Sequence, residues 1–401
     1  MPSVDEDGPE RRRVGLGTLV ALFGRLSVTA FGGPAAHIAL MERELVRERG
    51  WLSDREFLDL VGASNAIPGP TSTEVAMYTG RRHGGLPGLM VAGLGFIGPA
   101  ALIVGVLAWV YARYGARPLA GDVLAGVKPV VVAVVAVAVV RLGRSAFTSR
   151  LLVGIAAAVL AAYLAGLNEP VLLLAASGVA AVAGRWPRRS GATPAAALLA
   201  LLAVARLATL PGTAGAFPAA ADVPVHSPDL LRVFGAFLKV GALLFGSGYV
   251  LLAFLRRDLV LSHGWLTEGQ LLDAIAVGQV TPGPLFTTAT FVGYLLRGVP
   301  GAVVATVAIF LPAFVMTAVL EPVIARLRTM PVTAAALDGL NAAAVALMVG
   351  VTWFLGRDAV VGVPTALLAG GALVALLRWR VNPVWLMAAG AAAGLVLRSH
   401  L

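Results

Sequence analysis

The chain has 401 residues, 58% of them hydrophobic and only 13% charged, with a mean hydropathy of +0.86, whereas an ordinary soluble domain carries about 25% charged residues. Apolar runs long enough to cross a bilayer follow one another from Val14 to Leu397, which identifies an all-α polytopic membrane protein and excludes an enzyme with an extramembrane active site. The net charge of +10 lies in short arginine clusters between those runs, as in topology-setting loops and not as on a nucleic-acid-binding face; cysteine is absent and the five histidines are scattered, so neither metal nor cofactor is expected.

Residues 1–13 read as a polar cytoplasmic tail, with no signal peptide ahead of Arg11 to Arg13. Candidate helices follow at 14–38, 57–80, 86–112, 122–141, 150–166 and 169–184, making a first repeat over 14–190. A linking helix at 193–210 and a polar loop fill 191–229. The second repeat, 230–401, has helices at 230–255, 268–296, 300–325, 333–355, 359–377 and 382–398. The two sets match in letters as well as order. Phe31-Gly32 aligns with Phe245-Gly246, Arg43-Glu44 with Arg257-Asp258, Gly50-Trp51-Leu52 with Gly264-Trp265-Leu266, and Pro68-Gly69-Pro70 with Pro282-Gly283-Pro284, all at an offset of 214. After one deletion the offset is 213, pairing Pro99 with Pro312 and Gly126 with Gly339. The chain is a tandem duplication.

Six crossings per unit and one for the linker give about 13 spans and place the second unit upside down relative to the first. With a cytoplasmic N-terminus, the loops then carry 17 Lys/Arg on the cytoplasmic side and 9 on the other. If 57–80 and 268–296 are re-entrant hairpins that do not cross, an outside N-terminus scores the same, so the count alone leaves both arrangements open.

The chemistry concentrates where helices are interrupted. Asn65-Ala-Ile-Pro68-Gly69-Pro70 and Gln279-Val-Thr-Pro282-Gly283-Pro284 break apolar segments at equivalent places. Each proline removes an N–H, and irregular backbone at membrane depth survives only in protein or beside a cavity. A paired break points to a transport site. The half-helix that follows each break offers amide groups at its positive end, with hydroxyls from Thr71, Ser72 and Thr73 in one unit and Thr287 and Thr288 in the other, a set suited to an anion.

Two cations lie inside apolar runs at matching positions, Arg25 and Lys239. Arg25 is about 16 Å along its helix, and a charge at such depth costs at least about 2.5 kcal/mol. Both are candidates to balance an anionic ligand. Only two lysines occur in the chain, Lys128 and Lys239, and both fall in membrane segments. A lysine is able to lose its proton where arginine is not, so Lys128, whose repeat partner is Asn341, is a candidate for coupling. Glu74, four residues past Pro70, is either the partner of Arg25 or a proton carrier; its repeat partner is Thr288. Gly32, Gly33 and Gly246 close the first helix of each unit and permit close packing or a sharp exit.

Phe31-Gly-Gly-Pro34, the charged segment ending in Gly50-Trp51-Leu52, Asn65 to Pro70 and Tyr78-Thr-Gly80, repeated in weakened form in the second half, resemble the long-chain chromate ion transporter family over nearly the whole chain. The resemblance implies a multi-pass inner-membrane carrier that exports chromate, a sulfate-like dianion, using the membrane potential or the proton gradient, with two halves of opposite orientation. Sulfate or another oxyanion is the rival substrate, and a membrane scaffold without turnover is the rival class. The bilayer is the surrounding partner and a homodimer a possible assembly. In the second half Leu285-Phe286 replace Thr71-Ser72, so the first break is expected to hold more of the polar contacts.

Overall fold

The computed structural model describes residues 14–31, 33–64, 69–115, 117–183, 228–244, 250–328, 330–379 and 381–396. The linking helix expected at 193–210 lies outside these, as do Gly32, Asn65, Pro68 and Gly246. Among the described residues there are fourteen α-helices and no strand. The first unit holds α1 (Leu16–Thr29), α2 (Pro34–Glu42, continued by a π-helical turn, Arg43–Glu48), α3 (Asp54–Ser64), α4 (Thr71–Tyr114), α5 (Pro118–Ala146), α6 (Arg150–Leu164) and α7 (Glu169–Ala183). The second repeats them as α8 (Leu230–Leu243), α9 (Leu251–Leu255, continued by a π-helical turn, Arg256–Ser262), α10 (Glu268–Val280), α11 (Thr288–Arg328), α12 (Pro331–Ala359), α13 (Val363–Val374) and α14 (Pro383–Val396).

Two glycines set the path of the longest helices. Gly85 in α4 and Gly298 in α11 have φ of +63°, a conformation open to glycine at little cost, and the helix reverses there. In α4 the reversal brings Gly80 against Gly88, and Met77 against Gly93. In α11 it brings Gly293 against Gly301. Each is therefore a short helix folded back along a long one. The long arms fall in the helices that are apolar and long enough to cross a bilayer, as do α5 and α12.

The apolar runs at 14–38 and 57–80 are hairpins. In the first, α1 ends at Ala30, Gly33 takes φ of +81°, and α2 turns back so that Arg25 meets Glu44 and His37 meets the Ala30 carbonyl. In the second, α3 enters and the first arm of α4 returns. Glu56 at the start of α3 pairs with Arg82 near the end of that arm, and Trp51 stacks edge-on with His83. The two ends of the segment 57–80 thus lie side by side, with Gly69-Pro70 at its tip.

Contacts between the units come in pairs with roles exchanged. Gly126 of α5 lies against Gly390 and Gly394 of α14, and its repeat equivalent Gly339 of α12 lies against Ala176 and Ala180 of α7. Small residues at these crossings let the backbones touch, as is usual where lipid removes the hydrophobic drive between helices. Helices α1 to α4 form one apolar cluster around Phe23, Phe57 and Phe96, and helices from the long arm of α4 to α14 contribute to another. Leu102, Leu174, Trp353, Leu367 and Trp385 stand outward, which suits hydrocarbon and not water.

Candidate oxyanion site at the crossed tips

Four helix ends meet at the centre, and the backbone itself joins them across the units. The Gly69 amide donates to the Leu244 carbonyl at 2.8 Å, and the Gly283 amide donates to the Ala30 carbonyl at 3.1 Å. These are one interaction made twice, since Gly283 is the repeat equivalent of Gly69 and Leu244 that of Ala30. Each Pro-Gly-Pro tip is capped by the first helix of the other unit. Glycine is required at both: Gly69 and Gly283 have φ of +148° and +94°, and a methyl group would strike Ala313 at the first and Ala100 at the second. Ala100 and Ala313 follow Pro99 and Pro312, so each tip also rests beside the proline of the opposite long arm.

The sequence-predicted residues that this brings together are Gly69, Pro70, Ser72, Thr73 and Glu74 on one side and Gln279, Pro282, Gly283, Pro284, Thr287 and Thr288 on the other, all buried, with Thr71 half-buried at the edge. Their polar atoms are used unequally. In the second unit Thr281, Thr287 and Thr288 each donate to a carbonyl of their own turn, Val277, Pro284 and Leu285. In the first, Ser72 Oγ meets His37 Nδ1 at 3.3 Å and His37 Nε2 meets the Ala30 carbonyl at 3.0 Å. That chain ties the first tip to the carbonyl that caps the second. Among the described residues, Thr73 Oγ1, both carboxylate oxygens of Glu74, Ser27 Oγ and the Gln279 amide nitrogen have no hydrogen-bond partner although all are buried. Ser27 borders Gly283, and the Glu74 carboxyl packs directly on Gly69.

Arg25 and Lys239 occupy a different place. Arg25 pairs with Glu44, which Arg49 also approaches at 3.6 Å, and Lys239 pairs with Asp258 at 2.9 Å. These again are one interaction made twice, for Glu44 and Asp258 are repeat equivalents. The side chains of Arg25 and Lys239 are 53% and 50% exposed. Glu74 is not the partner of Arg25. Lys128 also stands away from the tips: its ammonium lies 3.2 Å from Asp273, a carboxylate that accepts from the Tyr111 hydroxyl at 2.7 Å. Asn341 on α12 is half-buried, and Gly33 forms the bend between α1 and α2. Among the described residues no group of His, Asp and Glu has the arrangement of a metal site.

A model of one family, described as chromate transporter, matches this chain twice, over residues 17–182 and 231–395. The chain belongs to the chromate transporter family. The two matches coincide with the two units described above. The chain is 35% identical to the chromate transport protein of Pseudomonas aeruginosa over 391 residues, 94% of this chain and 92% of that one. It is 33% identical to the chromate transport protein of Cupriavidus metallidurans over 379 residues, 93% and 91% of the two chains. The probable chromate transport protein of Synechococcus elongatus is 32% identical over 366 residues, 91% and 90% of the two. No solved structure matches.

Sequence reasoning passes over four residues that organise the fold of this transporter. His37 was hidden because a lone histidine on an apolar helix carries no pattern. Arg81 donates to the carbonyls of Thr317 and Ala318 in α11, joining the units, but in sequence it is one more loop arginine. Glu44 and Asp258 do carry a signal: each follows its buried-run cation at the same spacing in both repeats.

Proposed function

We propose that this protein is a secondary transporter that exports chromate across the inner membrane, driven by the membrane potential or the proton gradient. The observation that carries the reading is the crossed pair of tip hydrogen bonds, Gly69 to Leu244 and Gly283 to Ala30. Two backbone amides at the amino ends of half-helices, held by carbonyls that are easily exchanged for an anion, are a ready oxyanion contact. Breaking the pair separates the units and opens the centre; reforming it closes the centre. Rocking of one unit on the other would alternate access. Around the oxyanion this reading places Gly69, Thr71, Ser72 and Thr73 from the first tip and Gln279, Gly283, Thr287 and Thr288 from the second. Arg25 and Lys239 enter it with their carboxylates attached, as residues that hold the α1 and α8 ends in position.

The reading takes the units as inverted repeats. Supporting this, Tyr111, late in the long arm of α4, reaches Asp273, early in α10, while Arg81, at the rim of the first hairpin, reaches Thr317 late in the long arm of α11. Rim meets far end in both directions. With the hairpins entering and leaving on one face, each unit crosses four times and the linking run 193–210 once, nine crossings in place of the thirteen counted from apolar runs. Arg43, Arg47, Arg49 and Arg55 then join the cytoplasmic side and Arg256 and Arg257 leave it, moving the loop count from 17 against 9 to 19 against 7. Positive-inside favours this arrangement with a cytoplasmic N-terminus.

The test is radiolabelled chromate flux in proteoliposomes under an imposed potential. Saturable, gradient-dependent flux is expected, with sulfate competing weakly. Equal competition by sulfate would shift the substrate to oxyanions in general, and absence of saturable flux would reject transport in favour of a scaffold.

A further inference from the structure

The first tip contains a feature that an anion site should not tolerate. Glu74 lies in the first turn of α4, 0% exposed, with both carboxylate oxygens lacking a partner among the described residues. Its carboxyl rests on Gly69, whose amide is one of the two contacts offered to the oxyanion. An ionised carboxylate buried without a partner costs several kcal/mol, and beside a bound dianion the like-charge repulsion adds to that. A neutral carboxylic acid has neither problem and gains an O–H donor.

Among the described residues no cation is paired with Glu74. On α1, Arg25 is taken by Glu44; on α2, His37 is held by Ser72 and Ala30, and Glu42 by Arg47. On α3, Glu56 is held by Arg82, while Asp54, Arg55 and Asp59 are exposed. On α10, Glu268 is paired with Arg256 and Asp273 with Lys128. The described side chains of α11 offer only Tyr294 and Arg297 as titratable or charged groups, and the Leu285–Thr287 turn offers none. On α4 itself, Arg81 serves the Thr317 and Ala318 carbonyls, Arg82 serves Glu56, His83 stacks on Trp51, Tyr111 serves Asp273, Arg113 stands in the last turn whereas Glu74 is in the first, and Tyr78 and Tyr114 are not cations.

We propose that Glu74 must carry a proton for the oxyanion to occupy the tips, so that the transporter moves one proton with each anion in the same direction; export is then driven by the membrane potential acting on the net single negative charge and is opposed by an inward proton gradient. This rests on the chromate-transport reading. An O–H bond forms on the Glu74 carboxylate with a proton taken from water on the side the anion enters, and breaks to water on the side it leaves; nothing is oxidised or reduced. The O–H bond breaks only while the tip is open to water, where the ionised carboxylate is hydrated, since the closed tip offers it no partner among the described residues. Because the repeat partner is Thr288, whose hydroxyl is bonded to Leu285, the proton path belongs to the first unit alone.

The experiment uses the full chain in proteoliposomes with a chromate gradient, the potential clamped and the medium mildly alkaline, so that free chromate is a dianion. Radiolabelled flux and lumenal pH are read together. In the wild type the lumen is expected to gain about one proton for each chromate that enters, and E74Q is expected to move chromate without protons. Chromate flux with no proton movement, or with protons moving in the opposite direction, would overturn the assignment of Glu74 while leaving chromate transport intact. Wild-type proton movement in E74Q would do the same. If E74Q is inert, E74D, which keeps the acid, should restore proton-coupled flux, and its failure to do so overturns the proposal. No chromate flux in the wild type would instead remove the transport reading and this proposal with it.

Discussion

Gly80 and Gly88 touch backbone to backbone where α4 folds back on itself, so closely that a methyl group on either would overlap the other's carbonyl. Gly293 and Gly301 repeat the contact in α11. The fold-back is what lets the first arm of α4 lie along the second.

Gly80→Ala and Gly88→Ala should each destabilise the protein by about 1–3 kcal/mol, the usual range for overpacking a tight contact. Gly370, with nothing within 4 Å, provides the control. Thermal melting of the purified protein in detergent checks this: a lowered midpoint is expected for G80A and G88A, and an unchanged or slightly raised one for G370A.

Arg25 and Glu44 should behave as a unit. R25Q and E44Q are each expected to reduce chromate flux, and the R25Q/E44Q double variant to lose less than the two losses combined, with a coupling of about 0.5–1 kcal/mol appropriate to a half-exposed pair. The same cycle on Lys239 and Asp258 should give a coupling of the same sign. Strict additivity in both would show that the cations act directly on the anion.

Lys128 is expected to matter through Asp273. K128A strands a buried carboxylate that then keeps only the Tyr111 hydroxyl, and removing one member of a buried pair costs about 3–5 kcal/mol when burial is complete. The Lys128 side chain is 23% exposed, so about half that cost is expected. Asp273→Asn in the K128A background should recover most of the melting temperature. A double variant as unstable as K128A would mean that the lysine does something other than neutralise Asp273.

His37 joins the two tips through Ser72 and the Ala30 carbonyl. H37A should remove both bonds at a cost of about 1–3 kcal/mol and lower flux. S72A breaks only the weaker contact at 3.3 Å and should be the milder of the two. The comparison of flux rates in vesicles at matched protein content reads this directly.

The duplication, the helical class and the places where the helices break are all legible in the letters, because prolines and glycines at a fixed offset state where backbone must be irregular. The direction of the chain after each break is not. Residues 57–80 have the length and hydropathy of a span, and the Glu56 to Arg82 pair and the Trp51 to His83 contact show the segment turning back. Likewise 14–38 reads as one apolar run, although Gly33 bends it. Burial cost marks Arg25 and Lys239 as unusual, but it cannot name their partners, which come from segments that have the charged composition of loops. Glu74 was visible as a deep carboxylate; that it rests on Gly69 depends on the fold of the tip.

Because the amide of each Pro-Gly-Pro tip is answered by a carbonyl from the opposite half, neither half is self-sufficient. A single unit inserted alone would leave a peptide donor and a peptide acceptor stranded in hydrocarbon. In an ancestral half-length chain of this design the missing carbonyl would have come from a second half-length chain, and fusing the two into one polypeptide fixes the stoichiometry that such complementarity demands.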